Sequence, residues 1–227
     1  MQTKLKIAPI EGSFSLKEHI YEVLKDAIAR MNIYDEDADL RLDERQLSEQ
    51  LRISRTPIRE AIARLEQEGL VTVIPRRGVY ITRKTKTEIL EMITVWAALE
   101  SMAARLITES ASDQTIASLR ELFTTFKNGQ VQAHIDEYSD RNIEFHQAIL
   151  EMSGCALLKQ IADGLFLHMR GIRARTIGEK DRARRSIIDH LHIIEALEQR
   201  DADLAERLVR EHTLNLAAHV EKHVTYL

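Results

Sequence analysis

The sequence predicts a mainly α-helical protein of two domains, with β structure confined to a small part of the N-terminal domain. Apolar residues recur at helical spacing along most of the 227 residues, whereas the β-rich segments lie between Leu70 and Thr82. The chain has only three Pro and eight Gly, so long helices can continue without interruption. Hydrophobic residues make up 44% of the chain, enough for a core in each of two domains.

Two helices are predicted in the first 51 residues. The first contains four apolar residues, Tyr21, Val23, Leu24 and Ile28, and is expected to pack against the helices that follow. The second spans about Asp43–Leu51, where Asp43 is a suitable N-cap residue. Leu47 and Leu51 are four residues apart and are expected to face the core.

A third helix is predicted to begin near Ser54, after a turn formed by Arg52, Ile53 and Ser54. Pro57 lies in its first turn, where backbone N–H groups have no helical partner, and Gly69 marks its end. Its apolar residues recur at helical spacing and are expected to be buried: Ile58, Ala61, Ile62 and Leu65. Two short helices joined by a tight turn are typical of a helix-turn-helix, whose second helix enters the DNA major groove.

A basic β-hairpin follows the third helix. Leu70–Ile74 and Val79–Thr82 are β-rich, and Pro75-Arg76-Arg77-Gly78 forms the predicted tip between them. Nine Lys or Arg and three acidic residues lie between Arg52 and Lys86, a balance of +6 in 35 residues of a chain with net charge −4. Such a local basic patch is expected of a DNA site, and a solvated basic surface is the alternative. The helices and the hairpin together predict an N-terminal winged helix-turn-helix.

The rest of the chain is predicted to form a C-terminal all-α antiparallel helical bundle. A polar run, residues 83–87, is the expected linker between an N-terminal domain of residues 1–82 and a C-terminal domain of residues 88–227. Helices are expected at about residues 87–109, 113–128, 131–152, 156–175, 180–199 and 202–223. Residues 87–227 contain 16 basic and 22 acidic residues, which argues against nucleic-acid binding by this domain.

Histidines on three of these helices could form a metal site in the bundle. Asn142 and His146 are four residues apart and therefore share one face of a helix, which carries apolar neighbours. His190 and His212 lie among apolar residues on the last two helices. Three imidazoles and one amide oxygen could bind a single divalent ion, because imidazole is a common ligand of transition metals. The alternative is that these histidines only pack the core.

The N-terminal motifs resemble those of the GntR-type bacterial transcriptional regulators. The similar segments are Leu42–Ser48, Ser54–Ala61, Leu65–Val71 and Arg76–Gly78. The resemblance implies a homodimer on a short inverted repeat of double-stranded DNA. It also implies that Arg45, Arg55 and Arg59 read base edges or clamp phosphates, that Ser54 and Thr56 bind the DNA backbone, and that Arg76, Arg77 and Gly78 enter the minor groove. Arginine suits this role because it can make two hydrogen bonds to guanine.

The helical part resembles the effector domain of the FadR branch of that family, known as FCD. The similar segments are Asn142–His146, His190–Leu197 and Arg210–His212. The resemblance implies a divalent metal held by Asn142, His146, His190 (rather than His192) and His212. Zinc is expected, with nickel or manganese as alternatives.

Three positions depart from the family's pattern, and one of them, Cys155, is expected to be a small buried residue. The first ligand position holds Asn142 instead of the commoner Asp, and Asp140 is the nearest alternative. Trp96 stands where many members of the family carry an Arg that anchors the carboxylate of an effector. The replacement of this Arg weakens the argument for an organic acid, although an organic acid remains the example of a small-molecule effector that the resemblance offers. Trp96 is the candidate effector-binding residue at this position.

The sequence therefore predicts a DNA-binding transcription regulator, a repressor, and not an enzyme. One alternative is a metal-dependent hydrolase fused to a DNA-binding module, with Glu144 as its base; another is a ligand-independent DNA-binding protein. The chain lacks a run of about 18 apolar residues, so no membrane span is expected. The absence of a signal peptide at the N-terminus and the single cysteine, Cys155, favour a cytoplasmic location.

Overall fold

The computed structural model describes residues 16–35, 37–225 and 227, and most of these are helical. The elements in chain order are α1 (Leu16–Arg30), β1 (Arg41–Leu42), α2 (Glu44–Leu51), α3 (Arg55–Gln67), β2 (Val71–Ile74), β3 (Gly78–Ile81), α4 (Lys86–Ser110), α5 (Asp113–Ser118), a 3-10 helix (Leu119–His134), α6 (Ile135–Met152), α7 (Ala156–Thr176), α8 (Arg182–Glu198) and α9 (Ala202–His223). The chain divides into two compact units. The first holds the chain up to Ile28 and Leu40–Thr82, and the second holds Ala29–Asp39 and Arg83–Leu227.

The first unit contains the predicted helix-turn-helix. The Asp43 carboxylate caps α2 by accepting hydrogen bonds from the backbone N–H groups of Arg45 and Gln46. Arg52 ends α2 in the left-handed region at φ 54°, which turns the chain sharply into α3. Ser54 occupies the N-cap position of α3, but its hydroxyl makes no capping hydrogen bond. The predicted start of this helix near Ser54 is therefore confirmed.

The core of the first unit combines one face each of α1 and α3 with buried residues of the hairpin. The apolar residues of α3 are buried as predicted: Ile58, Ala61, Ile62 and Leu65. Tyr21, Leu24 and Ile28 are also buried, whereas Val23 is 38% exposed because it lies off the buried face of α1. Leu47 and Leu51 are only half-buried, so the core contact predicted for α2 is looser than expected. The Tyr21 hydroxyl donates a hydrogen bond to Glu68 at 2.6 Å, which ties α1 to the end of α3.

The predicted hairpin is present, and a third strand joins it. Strands β2 and β3 are antiparallel with Val71 opposite Ile81, and β1 pairs with the other edge of β3, giving the order β1-β3-β2. The sequence did not indicate β1, because two residues are too short to show an alternating pattern. Gly78 adopts φ +120° at the hairpin tip, a conformation that side chains rarely allow. The mainly α fold class with a winged helix-turn-helix and a helical bundle is thus confirmed.

The second unit is a bundle in which α4 packs along α9 and against α6 and α7, while α8 packs against α9. A capping box starts α4: the Thr85 side chain accepts from the Glu88 N–H, and the Glu88 carboxylate accepts from the Thr85 N–H. The predicted helix 113–128 is wrong, since α5 ends at Ser118 and a 3-10 helix continues to His134. Leu119, Phe123 and Phe126 are buried at spacings that fit either kind of helix, so the pattern could not separate them.

The segment Ala29–Asp39 is part of the second unit and packs on α7. The Tyr34 hydroxyl is hydrogen bonded to His168 Nδ1 at 2.8 Å, and both residues are buried. Gly171 makes room for this contact, because a Cβ atom there would lie 3.0 Å from the Tyr34 ring. Arg83 Nε donates to the carbonyl oxygen of Ile33 at 2.6 Å. Among the described residues, no helix is both long enough and apolar enough to cross a membrane.

Candidate metal centre and nucleic-acid interface

Three histidine side chains from three helices meet in the core of the second unit. They are His146 of α6, His190 of α8 and His212 of α9, and all three are buried. His212 Nε2 lies 3.1 Å from His190 Nε2 and 3.4 Å from His146 Nε2. Ligand nitrogens of a tetrahedral zinc ion, at about 2.0–2.1 Å from the metal, are separated by about 3.3 Å. These two separations are therefore close to those of nitrogens that share one metal ion, and the ligand atoms of all three histidines lie within 4.8 Å of one another.

The outward-facing nitrogen of each histidine is held by a hydrogen-bonding group. The Nδ1 partners are the Glu100 carboxylate for His146, the Asp189 carboxylate at 3.0 Å for His212, and the Tyr138 hydroxyl at 3.3 Å for His190. Carboxylates accept the Nδ1–H of a neutral ring, which leaves the Nε2 lone pair facing inward. Outer partners of this kind orient the imidazole ligands of metal sites.

The surroundings favour the neutral form of the three imidazoles. Burial lowers the pKa of His146 and of His190 well below the ordinary value, and neighbouring positive groups lower it further. Burial also lowers the pKa of His212, although its hydrogen bond to Asp189 acts in the opposite direction. Phe145 packs on the His190 ring with centroids 4.2 Å apart. Neutral imidazole is the form that binds a metal ion.

A buried ion pair adjoins the histidines. Glu100 of α4 and Arg173 of α7 lie with Oε2 and Nη2 3.7 Å apart, and the Thr213 hydroxyl donates to Glu100 Oε2 at 2.7 Å. Burial raises the pKa of Glu100 and lowers the pKa of Arg173, and each charge opposes the shift of the other. Arg173 Nη1 also donates to His146 Nε2 at 2.6 Å. A guanidinium thus contacts the nitrogen that faces the other two histidines.

A cavity of about 160 Å³ lies beside this cluster. Its lining includes Asn142, Arg173, Arg182, Ser186, Asp189 and His212. Asn142 is buried on the same face of α6 as His146, and its Oδ1 accepts a hydrogen bond from the Ser186 hydroxyl at 3.4 Å. Asp140 is exposed, so the nearest alternative to Asn142 lies away from the core. Trp96 is also buried, but it packs near Phe166 and is not part of the lining.

The structure buries the predicted histidines and leaves two candidate residues near them in the sequence exposed. His192 is exposed, whereas His190 is fully buried in the cluster. Glu144 is exposed and forms an ion pair with Arg141 at 2.6 Å, so the base suggested for a hydrolase does not approach the histidines.

The sequence reasoning missed the groups that surround the histidines: Glu100, Tyr138, Asp189 and the full burial of Arg173. Only Glu100 carried a usable signal, as a single charge in the otherwise uncharged stretch from Ile93 to Ala104.

The candidate DNA-contact residues form an exposed basic surface on the first unit. The exposed members are Arg45, Ser54, Arg55, Thr56, Arg59, Arg76 and Arg77, and Gly78 is half-buried at the hairpin tip. Arg59 Nε pairs with Glu44 at 2.7 Å, and Arg45 Nε pairs with Glu49 at 3.0 Å. Exposed ion pairs contribute only about 0–1 kcal/mol, so these guanidinium groups can exchange their partners at small cost.

Comparison with known proteins matches both units. Residues 91–215, more than half of the chain, match the FCD domain family. Residues 16–81 match the family described as bacterial regulatory proteins, gntR family. The chain belongs to the GntR family. Its helical domain places it in the FadR-type FCD branch, and the expected resemblance is confirmed.

Relatives of this GntR-family chain are transcription regulators rather than enzymes. The Nta operon transcriptional regulator of Aminobacter aminovorans is 32% identical over 184 residues, covering 81% of this chain and 82% of the relative. The HTH-type transcriptional repressor RspR of Escherichia coli K12 is 25% identical over 185 residues, covering 80% and 79%. The structure of E. coli McbR/YncC has the same fold, with a TM-score of 0.75 and 24% identity over 94% of this chain and 100% of that one. The GntR domain implies DNA binding, and the FCD domain implies a small-molecule effector.

Proposed function

We propose that this GntR-family regulator is a metal-dependent repressor that binds an inverted-repeat operator as a homodimer and responds to a small effector. In this proposal residues 1–82 bind DNA, residues 83–87 are the linker, and residues 88–227 bind the effector and dimerise. The observation that carries it is the cluster of three Nε2 atoms within 4.8 Å of one another, with every Nδ1 held by another group.

The proposed ligands of one divalent ion are His146, His190 and His212, with the amide oxygen of Asn142 as a fourth. A hydrogen shared between two of these nitrogens serves only one pair of rings, whereas a cation can accept the Nε2 lone pairs of all three rings at once. Three nitrogens and one oxygen suit zinc, with nickel or manganese as alternatives. An effector oxygen or a water molecule would complete the coordination, since the cavity adjoins His212. When bound, the metal would supply charge and a fixed attachment point for an anionic effector.

The proposed DNA surface consists of the exposed residues of α2, α3 and the hairpin tip. Arg45, Arg55 and Arg59 would contact bases or phosphates, Ser54 and Thr56 would bind the DNA backbone, and Arg76, Arg77 and Gly78 would enter the minor groove. Two features support this assignment. The side chains other than Gly78 are exposed, and the Ser54 hydroxyl is not used as a helix cap.

A homodimer is proposed because one recognition helix contacts too few base pairs to select an operator among genomic sites.

An exposed apolar stripe on α4, formed by Val95, Ala98 and Met102, is the surface we assign to the second copy. A charge at this stripe, in Met102→Glu, should give monomers in sedimentation. Leu157→Glu, on an exposed leucine of α7, should remain dimeric; dimers in both variants would remove the assignment.

Repression is proposed because a relative of similar length is named a repressor. The mechanism would be a shift in population: a ligand that binds one conformation of the bundle better changes the fraction of dimers able to bind both half-sites.

The experiment begins with selection of genomic DNA fragments by the purified full chain. Fluorescence anisotropy on the selected site then compares chelator-treated protein with zinc-reloaded protein. We expect an inverted repeat bound by two chains, and a difference in affinity between the two forms in the range of about 5- to 150-fold. Equal affinities with and without metal, in wild type and in His190→Ala, would instead favour a ligand-independent DNA-binding protein.

A further inference from the structure

Arg41, the first residue of β1, carries a positive charge that none of the predicted DNA contacts includes. Its side chain is exposed, and it lies directly opposite Tyr80 of β3 in the antiparallel register. Residues that oppose one another project from the same face of a sheet, and so do residues two apart on one strand. Arg41 therefore shares a face with Tyr80 and with position Gly78, whereas Val79 between them is buried on the other face.

The guanidinium of Arg41 lies beside the tip of the hairpin. A Cβ atom at Gly78 would be 3.6 Å from Arg41 Nε and 4.0 Å from Arg41 Nη2, so the guanidinium approaches the bare backbone of the tip. Hydrogen bonds hold the tip in one shape: the Arg77 N–H donates to the Ile74 carbonyl oxygen at 3.0 Å, and the Tyr80 hydroxyl donates to the Arg77 carbonyl oxygen at 3.3 Å. The strand register and these bonds together define where Arg41 stands relative to the tip.

The charges around the tip are positive. The hairpin from Val71 to Thr82 contains Arg76 and Arg77, both exposed, and no acidic residue. Asp43, two residues after Arg41 in the chain, directs its carboxylate to the start of α2, where it caps that helix. Three arginines at or beside one hairpin tip suit the phosphate oxygens of DNA, because guanidinium donors match phosphate in charge and geometry.

We propose that Arg41 is a further DNA contact of this regulator and binds a phosphate of a strand that borders the minor groove. The proposal rests on the proposed DNA surface, in which the hairpin tip enters that groove. The minor groove of B-DNA is only about 6 Å wide. A guanidinium about 4 Å from the Cβ position of Gly78 therefore meets the sugar-phosphate wall of the groove and not the base edges. Phosphate contacts carry no direct sequence information, so Arg41 sets affinity and the position of the hairpin but not the choice of operator.

The test measures binding of the full chain to the operator selected from genomic DNA and to a random duplex of the same length, by anisotropy at several salt concentrations. In Arg41→Met, the slope of log affinity against log salt concentration should decrease in magnitude by about 0.9 for each bound chain, the value for one lost phosphate contact. The ratio of the two affinities should stay at its wild-type value, because the lost contact is common to both duplexes. Arg41→Lys should keep the wild-type slope, since lysine also pairs with phosphate.

Further variants separate this contact from a structural role. Arg41→Gln keeps a polar side chain without the charge and should show the same decrease in slope as Arg41→Met, with the melting temperature of wild type. Arg120→Met removes an exposed arginine of the second unit and should keep the wild-type slope.

Two outcomes would contradict the assignment of Arg41. A wild-type slope in both uncharged Arg41 variants, together with weaker operator binding in Arg55→Ala, would overturn this proposal and leave the proposed DNA surface standing. Wild-type affinity and slope in Arg41→Met, Arg55→Ala and Arg59→Ala alike would overturn both proposals.

Discussion

The two units hold their charged residues differently. Those of the first unit's surface are exposed, whereas those in the core of the second unit are buried. Arg59 and Glu44 form a single ion pair in which the arginine side chain is 64% exposed. Arg173 and Glu100 are almost fully buried, and they share contacts with His146 and Thr213. The first arrangement leaves a guanidinium available for exchange with a DNA phosphate. The second joins Glu100, Arg173, His146 and Thr213 in one network, although Arg173 Nε has no hydrogen-bond partner, so that a ligand of these groups must rearrange the network.

This difference shows what each region can do. A surface pair costs little to break, so binding of DNA can use arginines in their existing positions. A buried network is expensive to leave incomplete, so a change of one member affects its partners. Recognition of DNA therefore suits the exposed region, and a response with two alternative arrangements suits the buried region.

The largest expected effect comes from the buried ion pair. Glu100→Ala leaves Arg173 as an uncompensated buried charge and should lower the free energy of unfolding by about 3–5 kcal/mol. Glu198→Ala is the matched control, since Glu198 pairs with Arg120 at 2.6 Å on the surface and should cost about 0–1 kcal/mol. Urea unfolding followed by circular dichroism measures both. Equal losses in the two variants would contradict the contrast between buried and exposed charges.

The next largest effect is the pH dependence of folding stability that is due to His168, a residue outside the histidine cluster. Burial lowers the pKa of His168 to about 4, from an unfolded value near 6.5. The neutral ring therefore favours the folded state above pH 6.5, and this contribution is lost as pH falls from 6.5 through 4. The full loss is about 3 kcal/mol.

Urea unfolding at pH 7 and at pH 4 measures this contribution. A chelator is present so that metal binding does not affect the measured stability. His168→Gln should show a smaller loss of stability between the two pH values than wild type. His134→Gln, at an exposed histidine, should lose as much as wild type. The same pH dependence in all three proteins would show that His168 is not buried in its neutral form.

A smaller effect per residue is expected for operator binding when exposed arginines of α3 are replaced. Arg59→Ala or Arg55→Ala should weaken operator binding by about 1–3 kcal/mol for each lost base contact. Wild-type binding should also fall steeply with salt concentration, because phosphate contacts release counterions. Arg120→Ala provides a control, as it removes an exposed arginine of the second unit. Anisotropy titrations that give wild-type affinity for both α3 variants would remove the recognition-helix assignment.

Local signals explain why the first unit was predictable. Asp43, Gly69 and the spacing of Ile58 to Leu65 each specify a cap, a stop or a buried face within a few residues of sequence. Strand β1 was missed because two residues are too short to show an alternating pattern. The 3-10 helix of the second unit was missed because the spacing of its buried residues also fits an α-helix. Val23 was misassigned because its apolar character says nothing about which face of α1 it occupies.

The candidate site was predictable only in part. The resemblance and the helical spacing selected the three histidines that meet, including His190 over His192. The roles of Glu100 and Arg173 depend on how α4 and α7 pack against α6, which no local pattern encodes. The burial of Arg173 is decided by tertiary structure, because its basic neighbours in the sequence are typical of a solvated helix face.

The central claim is that the buried histidines hold a metal ion, and zinc binding by paired histidine variants tests it most directly. Wild type and His192→Ala should each bind one zinc ion per chain in isothermal titration, since His192 is exposed and lies two residues from the cluster. His190→Ala should bind at least about 100-fold more weakly, and zinc should raise the melting temperature of wild type but not of this variant. Identical zinc affinity and melting in His190→Ala and His192→Ala would contradict the claim and leave the three histidines as packing residues.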